Sequence, residues 1–358
     1  GSGGDTFTVA STHANNTVLN TLGGGDTVHV QTVAGVTVVN TGDGTDTTNV
    51  NAIAAATTIN AGADADTINV GSKAPDVNGN VNAISASLTV NGEDGSDTVN
   101  VDDTSDTSGN TGNLTGTALT GLGMSAGITY GTVEALNISL GSGGDTFTVA
   151  STHANNTVLN TRGGGDTVHL QTVAGVTVVN TGAGADTTNV QTIDAKTTVN
   201  AGDDADTINV GSKAPDVNGN VNAISASLNV YGEAGSDTVN VDDTSDTSGN
   251  TGNLTATALT GLGMSAGITY GTVEGLNVSL GSGGDTFTVA STHANNTVLN
   301  TLGGGDIVHI LTVAGATGVN RVGASAACRR ATRSPHCPCS RPRGRHPRPR
   351  CCLPRPSQ

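Results

Sequence analysis

The chain has 358 residues with 52 Gly, three Phe, three Tyr and no Trp, so it lacks the aromatic side chains that usually fill a globular core. Its formal net charge of −16 is concentrated, because residues 1–320 hold all 30 acidic side chains and only four basic ones. That balance disfavours binding to nucleic acids and anionic membranes, and favours cations. No stretch has the roughly 20 consecutive apolar residues of a membrane helix. Gly1 opens no signal-like pattern, so we expect a fragment whose export signal lies elsewhere.

The chain is built from copies of one 140-residue block. Residues 1–140 and 141–280 differ at only 16 positions, and a third, truncated copy covers 281–320. Self-similarity of this kind is typical of repeat architectures, in which each unit packs only on its neighbours. The sequence therefore predicts an array of like units rather than one enzyme domain.

A shorter period runs inside each block. Glycine-rich turns lead into T-x-x-V segments at 1–9, 22–30, 41–50, 61–70 and 91–101. Between them lie the segments TVLN, TVVN, TTIN and LTVN. The turn aspartates are spaced 21, 20, 20 and 31 residues apart, so the last step holds an insertion. A coil of about 20 residues with two or three short strands predicts an all-β parallel solenoid without substantial helix.

Period-two alternation assigns the two faces of each strand. Phe7 and Val9, and Val28 and Val30, are predicted to face the core, with the intervening Thr and His residues outside. Differences between the blocks agree with this. The aliphatic exchanges Val30/Leu170, Ile59/Val199 and Ile138/Val278 fall at inward positions, whereas Thr89/Asn229 and Asn91/Tyr231 fall at outward ones.

Two parts of each block break the period. Residues 71–87 and 102–135 do not follow it, and DDTSDTSGNTG at 102–112 is predicted to be a loop. Further strands are predicted at 114–119, 128–130 and 133–140, where the chain rejoins the stack.

The glycine–aspartate turns are the only recurrent candidates for chemistry. One interpretation is that each Asp caps its turn by accepting nearby backbone N–H groups, while glycines supply positive φ. The other is that stacked carboxylates recruit a cation. The candidate metal ligands are Asp5, Asp26, Asp46, Asp66, Asp97, Asp145, Asp166, Asp186, Asp206, Asp237, Asp285 and Asp306.

Turns such as GSGGD and GDGTD resemble the nonapeptide GGxGxDxUx of haemolysin-type (RTX-like) calcium-binding repeats. The resemblance implies Ca²⁺ held by aspartates and turn carbonyls of stacked coils. This sequence departs from the family in its period of about 20 residues and in turns that lack a full GxGxD. Asp43 and Thr45 also become Ala183 and Ala185 in the second block, while Asp186 stays.

Other functions receive less support from the residues. His13, His29 and their copies lack a metal-binding motif such as HExxH and are predicted to be solvated outward side chains. A polysaccharide-active β-helix enzyme would need clustered charged groups, which four basic side chains hardly supply. An ice-binding face would need regular Thr-x-Thr rows, but only TFT at 6–8 and its copies have them.

The tail from 321 to 358 has a different composition. It holds all five Cys, ten Arg and no acidic residue. A disordered basic tail is one interpretation. We favour another: a frameshifted reading of repetitive GC-rich DNA, which resequencing would refute by finding the frame intact.

Taken together, the repeats indicate a non-catalytic extracellular structural or adhesive segment. The unit that contains VEALNISLGSGGDTFTV resembles those of very large bacterial repeat proteins displayed or secreted as adhesins. That resemblance implies cell-surface or matrix glycans or proteins as partners, a cell-surface or secreted location, and Ca²⁺ as the ligand. The enzyme and the ice-binding solenoid remain the alternatives.

Overall fold

The computed structural model describes residues 1–321 and the short strand Arg329–Arg330. The prediction of an all-β parallel solenoid is confirmed: the described residues form 31 strands and no helix. The strands form two long sheets of 16 and 15 strands, in which almost all neighbours are parallel. None of the described residues belongs to a helix that could span a membrane. The tail prediction, apart from Arg321 and Arg329–Arg330, lies outside the described residues.

Sheet 1 contains 16 strands, which are, in chain order, β1 (Thr6–Val9), β3 (Thr27–Val30), β5 (Thr47–Val50), β7 (Thr67–Val70), β9 (Thr98–Asp102), β13 (Ala135–Ser139), β15 (Asn156–Asn160), β17 (Thr177–Asn180), β19 (Thr197–Asp203), β21 (Leu228–Ala234), β23 (Thr251–Leu254), β24 (Ala258–Gly261), β25 (Ile268–Gly271), β27 (Thr286–Val289), β29 (Ile307–Ile310) and β31 (Arg329–Arg330).

Sheet 2 contains the other 15, which are β2 (Thr17–Asn20), β4 (Thr37–Asp43), β6 (Thr57–Ala63), β8 (Leu88–Asp94), β10 (Thr111–Leu114), β11 (Ala118–Gly121), β12 (Ile128–Gly131), β14 (Thr146–Val149), β16 (Thr167–Leu170), β18 (Thr187–Val190), β20 (Thr207–Val210), β22 (Thr238–Asp242), β26 (Gly275–Ser279), β28 (Asn296–Thr301) and β30 (Thr317–Arg321).

Each regular coil has two strands, one in each sheet. In the first block the T-x-x-V strands stack in sheet 1 and the TVLN-type strands stack in sheet 2. Stacking is in register, so that Thr27 pairs with Thr47 and Val30 with Val50. Identical positions of successive coils therefore form rows that run along the solenoid.

The predicted faces are confirmed. Val28 and Val30 are fully buried between the sheets, whereas Thr27 and His29 lie on the outer face. The aliphatic pairs that differ between blocks, such as Val30/Leu170 and Ile59/Val199, are buried in both copies. Tyr231, at a predicted outward position, keeps 39% of its surface exposed. One thin core of aliphatic side chains thus runs the length of the described chain.

Glycine is required where turns of successive coils touch. Gly42 has φ of +101°, a conformation that residues with a Cβ adopt at a cost. An added Cβ at Gly42 would also overlap the carbonyl group of Leu22 in the coil before. Close stacking of the turns therefore fixes the residue type at this position.

The insertion predicted in the fourth coil is a loop that is held in place by hydrogen bonds. Asp66 and Asp97 are 31 residues apart instead of 20, which leaves 11 extra residues. Ile84 pairs with Ile53 of the coil before and is buried, so the chain is back in the regular coil by Ile84. Residues 72–82 are therefore the insertion. Ser72 N–H donates to the Asn80 carbonyl (2.8 Å), which closes the loop on itself.

The second irregular segment is an antiparallel excursion within sheet 2. Strands β10, β11 and β12 pair antiparallel with one another, and β12 and β10 then pair parallel with β8 and β14. The single strand expected at 114–119 is wrong, because residues 115–117 form the turn between β10 and β11. The turn is closed by the Thr115 N–H, which donates to the Ala118 carbonyl. Local strand propensity does not reveal such a contact.

Successive blocks begin in opposite sheets. Strands β10–β12 all lie in sheet 2, so the chain changes sheet 11 times between β1 and β14, and the second block begins in the other sheet. The stretch TFTV is β1 in sheet 1, β14 in sheet 2 and β27 in sheet 1 again. Identical features of successive blocks therefore face opposite sides of the solenoid, and the structure repeats fully only after two blocks.

Candidate functional site

The turn aspartates form ladders along the edge of the solenoid. Each Asp immediately precedes a T-x-x-V strand, and its Oδ1 accepts the backbone N–H of the corresponding Asp in the coil before. In the first block these bonds measure 2.8, 2.6, 2.7 and 2.9 Å, at Asp26, Asp46, Asp66 and Asp97. The cap function predicted for these residues thus acts between coils rather than within one turn.

The second and third blocks repeat the ladder. Asp145, Asp166, Asp186 and Asp206 donate backbone N–H groups to the next Asp at 2.7, 2.7, 2.8 and 2.9 Å, so the series ends on Asp237. In the third block Asp285 N–H donates to Asp306 Oδ1 at 3.0 Å. Because blocks alternate between sheets, the second ladder lies at the opposite edge from the first and third. The twelve predicted residues are therefore not brought together at one site.

Four residues that the turn motif alone does not identify extend the ladders. Glu134 Oε2 accepts the Asp97 N–H at 2.8 Å, and Glu274 does the same for Asp237 at 2.9 Å. Asn110 and Asn250 donate backbone N–H groups to Asp145 and Asp285. A usable signal for the glutamates was their place directly before the strand ALNIS or GLNVS, where other coils have Asp.

The second carboxylate oxygen of most ladder residues is left without a partner. The Oδ2 atoms of Asp26, Asp46, Asp66 and Asp97 are buried and accept no hydrogen bond, and the same holds for Asp166, Asp186, Asp206, Asp237 and Asp285. Asp5 differs, because its side chain is 46% exposed and lies 3.4 Å from the amino group of Gly1. A buried carboxylate oxygen without a donor is costly in its charged form.

Burial accordingly raises the pKa of most ladder carboxyls. The shift is upward for Asp46, Asp97, Asp145, Asp166, Asp186, Asp237 and Asp285, with desolvation as the largest cause. For Asp66 and Asp206 burial and the adjacent ladder carboxylates raise the pKa to about 7. Asp26 is the exception, with a pKa lowered chiefly by the Thr21 hydroxyl.

A further buried carboxyl lies beside the antiparallel excursion. Asp103 is 1% exposed, and its Oδ1 accepts the Val81 N–H at 3.1 Å. Burial raises the pKa of Asp103 to about 7, and Asp243 in the second block repeats the arrangement. Sequence reasoning missed this pair because it lies in a segment that has no regular period.

The ladder offers few ligands to a calcium ion. Within the described part of the chain no group of three or more His, Cys, Asp or Glu side chains has metal-binding geometry. Ca²⁺ takes six to eight oxygens, whereas each buried ladder residue named above supplies one carboxylate oxygen that is free of hydrogen bonds.

The histidines differ in part from the prediction of solvated side chains. His29 lies on the outer face, with Nδ1 3.4 Å from Asn49 Nδ2. His153, however, packs edge-on against Tyr130 at a centroid distance of 5.8 Å, and both its ring nitrogens are buried without a partner. Burial lowers the pKa of His153. The antiparallel excursion brings Tyr130 to this position, which the local sequence around the histidine does not reveal.

Comparison with known proteins adds no family. No protein-family model matches the chain, and a search of curated protein sequences gives no match. The function has to be argued from the repeats, the ladders and the surfaces.

Proposed function

We propose that this chain is a non-catalytic segment of an extracellular or cell-surface protein, with a structural or adhesive function. The supporting observation is that three copies of one block continue a single core and a single pair of sheets. In such a stack each coil contacts only its neighbours, so length is gained by copying blocks. A rod of this kind can span a distance and present the same outward faces repeatedly along its length.

The outer surface gives less support to the two alternative functions, a polysaccharide-active enzyme and an ice-binding solenoid. The described residues contain one ion pair, between the Gly1 amino group and Asp5. A polysaccharide-cleaving site would need converging acid and base groups that a sugar can reach, and the ladder aspartates other than Asp5 are buried. An ice-binding face would need two adjacent threonine rows, whereas sheet 1 has one such row, Thr6, Thr27, Thr47, Thr67 and Thr98, beside a row in which His29 and Asn49 follow Thr8.

Two assays on the full chain test this function. Beads coated with the chain should adhere to surfaces carrying polysaccharide or matrix protein, whereas beads coated with a globular protein of similar charge should not. Incubation of the chain with soluble polysaccharides should release no new reducing ends. Sustained release of reducing ends would identify an enzyme and overturn the proposal, and thermal hysteresis of freezing would favour the ice-binding alternative.

Calcium stabilisation is a second part of the proposal. It is supported by the buried Oδ2 atoms that lack any donor and by the like charges of stacked carboxylates. A cation bound between coils would offset the cost of that burial. Thermal melts in EDTA, in Ca²⁺ and in Mg²⁺ test it, since a ligand at about 100 times its Kd adds about 2.7 kcal/mol per site. Identical melts would leave the aspartates as inter-coil caps.

A further inference from the structure

A groove opens on the outer face of the first block, beneath the inserted loop 72–82. Its floor is formed by outward side chains of β7, β9 and β13, and its wall by Pro75 and Val77 of the loop. Its volume is about 250 Å³. The second block builds the same groove from the matching residues, with a volume of about 440 Å³. We call these groove 1 and groove 2.

The floor of groove 1 is a short ladder of asparagine amides. Asn100 Nδ2 donates to Asn69 Oδ1 and Asn137 Nδ2 donates to Asn100 Oδ1, both at 2.8 Å. Each amide uses one N–H in the ladder, so a second N–H remains. The next coil places Val158 beside Asn137, so the ladder ends there and Asn137 Oδ1 receives no donor from that coil. Groove 2 repeats this, with Asn277 beside Val298.

Ser139 adds a hydroxyl at the edge of the floor. Its Oγ accepts a hydrogen bond from Asn160 Nδ2 at 3.3 Å, which leaves the hydroxyl proton to donate. Asp102 also lines the groove, but its oxygens are engaged by Gly79 N–H (2.6 Å) and by the Thr104 hydroxyl (2.6 Å). Apart from the exposed carboxylate of Asp76 on the loop and the guanidinium of Arg162, the groups that remain to bind a ligand are neutral donors and acceptors.

The loop that forms the wall is anchored before any ligand arrives. Asn78 N–H donates to Thr104 Oγ1 at 3.0 Å, Ser105 N–H donates to the Gly79 carbonyl at 2.8 Å, and Asn51 Nδ2 donates to the Ala74 carbonyl at 3.1 Å. A preformed wall lowers the ordering cost of binding. On its lip Val77 is 63% exposed, and its counterpart Val217 is 69% exposed. An exposed valine at the same place in both blocks gives each groove an apolar contact above a polar floor.

We propose that grooves 1 and 2 bind carbohydrate, and that Arg162 gives groove 1 a preference for a sugar that carries a carboxylate. An Asn amide can accept from one sugar hydroxyl and donate to its neighbour, while an apolar lip packs on the C–H face of the ring. Arg162 lines groove 1, is exposed, and forms no ion pair within the described residues. The third block has Leu302 at the position of the repeat that corresponds to Arg162. This inference rests on the proposed adhesive function and names the ligand class.

The alternation of sheets makes the pair of grooves bivalent. Groove 1 lies on the outer face of sheet 1 and groove 2 on the outer face of sheet 2. One molecule therefore presents sites to both of its sides and can join two glycan-bearing surfaces. Two weak sites used at once gain avidity without any new contact.

The test titrates the full chain with trigalacturonic acid and with neutral galactotriose, followed by calorimetry and saturation-transfer NMR. We expect one tighter site for the acidic sugar and roughly tenfold or more weaker binding of the neutral one, because a charge-assisted hydrogen bond is lost. Arg162→Leu should remove the difference between the sugars. Leu302→Arg should raise the number of tighter sites from one to two.

Loop deletions provide the matched controls. Removing residues 72–82 should abolish binding at groove 1, and removing 212–222 should abolish it at groove 2, with circular dichroism confirming the solenoid. Absence of binding up to about 10 mM, or binding that survives both deletions, would overturn the inference. If coated beads still adhered to protein surfaces in that case, the adhesive function would stand and only the sugar sites would fall.

Discussion

At the scale of single residues, the ladder aspartates join two opposed effects. Asp66 Oδ1 satisfies the Asp46 N–H at 2.7 Å, while its Oδ2 is buried with no partner. The first contact stabilises the stack and the second penalises the charged form. An aspartate at this position therefore satisfies the backbone N–H of the coil before, but its negative charge is poorly stabilised.

Substitutions at Asp66 separate these effects. Asp66→Asn keeps an acceptor for the Asp46 N–H and removes the buried charge, so we expect an unchanged or higher Tm at about pH 8. Asp66→Ala leaves that N–H unsatisfied and should cost about 1–3 kcal/mol. Denaturant unfolding of both variants measures this, and Asp206 in the second block serves as an internal replicate. A large loss in Asp66→Asn together with a lost calcium response would instead identify a metal ligand.

The raised pKa values also predict how stability changes with pH. Burial raises the pKa values of Asp66, Asp103, Asp206 and Asp243 to about 7, whereas a free aspartate has a pKa of about 3.9. The contribution of these four carboxyls to the free energy of unfolding is fully present below the unfolded-state pKa. It is lost as the pH rises from about 4 to about 7. We expect a metal-free Tm that is roughly 5 °C or more higher at about pH 5 than at about pH 8. Buried His153, with its lowered pKa, acts in the opposite sense below about pH 6.5. A Tm that rises between the two pH values would contradict the prediction.

A glycine pair tests the turn contacts. Gly42→Ala should destabilise the chain by more than about 1 kcal/mol, because φ is positive and the Cβ would overlap the Leu22 carbonyl. Gly131→Ala is the control, since no atom lies within 4 Å of its added Cβ. Equal melts for the two variants would show that the stacked turns are looser than the structure indicates.

At the scale of elements, the two irregular segments have different effects. The loop 72–82 adds residues to one coil without changing the stacking, because Ile84 resumes the place that Val33 holds in a regular coil. The excursion β10–β12 adds two strands within one sheet, and the chain returns to the other sheet at β13, so the excursion takes the place of a single strand in the alternation between sheets. The loop lengthens one coil, and the excursion lengthens one sheet.

Deletion of residues 72–82 tests that distinction. Val70 and Gly71 would then continue directly into Ala83 and Ile84, which restores a 20-residue spacing between Asp66 and Asp97. We expect a cooperative melt and an unchanged strand signal, with a modest loss because Val81 leaves the core and Asp103 loses its Val81 donor. An unfolded product would mean that the loop is part of the coil rather than an insertion.

At the scale of the whole molecule, the stacked strands predict a rod. The 15 or 16 strands of each sheet, spaced about 4.8 Å apart, give a length near 70–75 Å. Small-angle scattering of the full chain should show a maximum dimension of at least this size. Insertion of one more copy of 141–280 should add about 30 Å, and a smaller increase would contradict linear stacking.

Much of the fold could be predicted from the sequence because the physics is local and repeated. Period-two alternation placed Val28 and Val30 inside and His29 outside, and the repeat length predicted coils of two or three strands, of which the structure has two. The same repetition identified the turn aspartates, since each precedes a T-x-x-V strand. A chemical role for them did not follow, because the partner of each Oδ1 lies about 20 residues away in the coil before.

Only the tertiary structure decided which distant segments come into contact and on which side of the solenoid each feature lies. A hairpin turn at 115–117 cannot be told from a strand by propensity, yet it keeps three consecutive strands in one sheet. The chain then changes sheet an odd number of times per block, which places the Asp ladders and the grooves of successive blocks on opposite sides. The sequence alone determined the coil, the core and the order of the repeats, because those depend on neighbours in the chain. The sheet each strand joins, the burial of Asp103 and the packing of His153 on Tyr130 depend on contacts between distant segments.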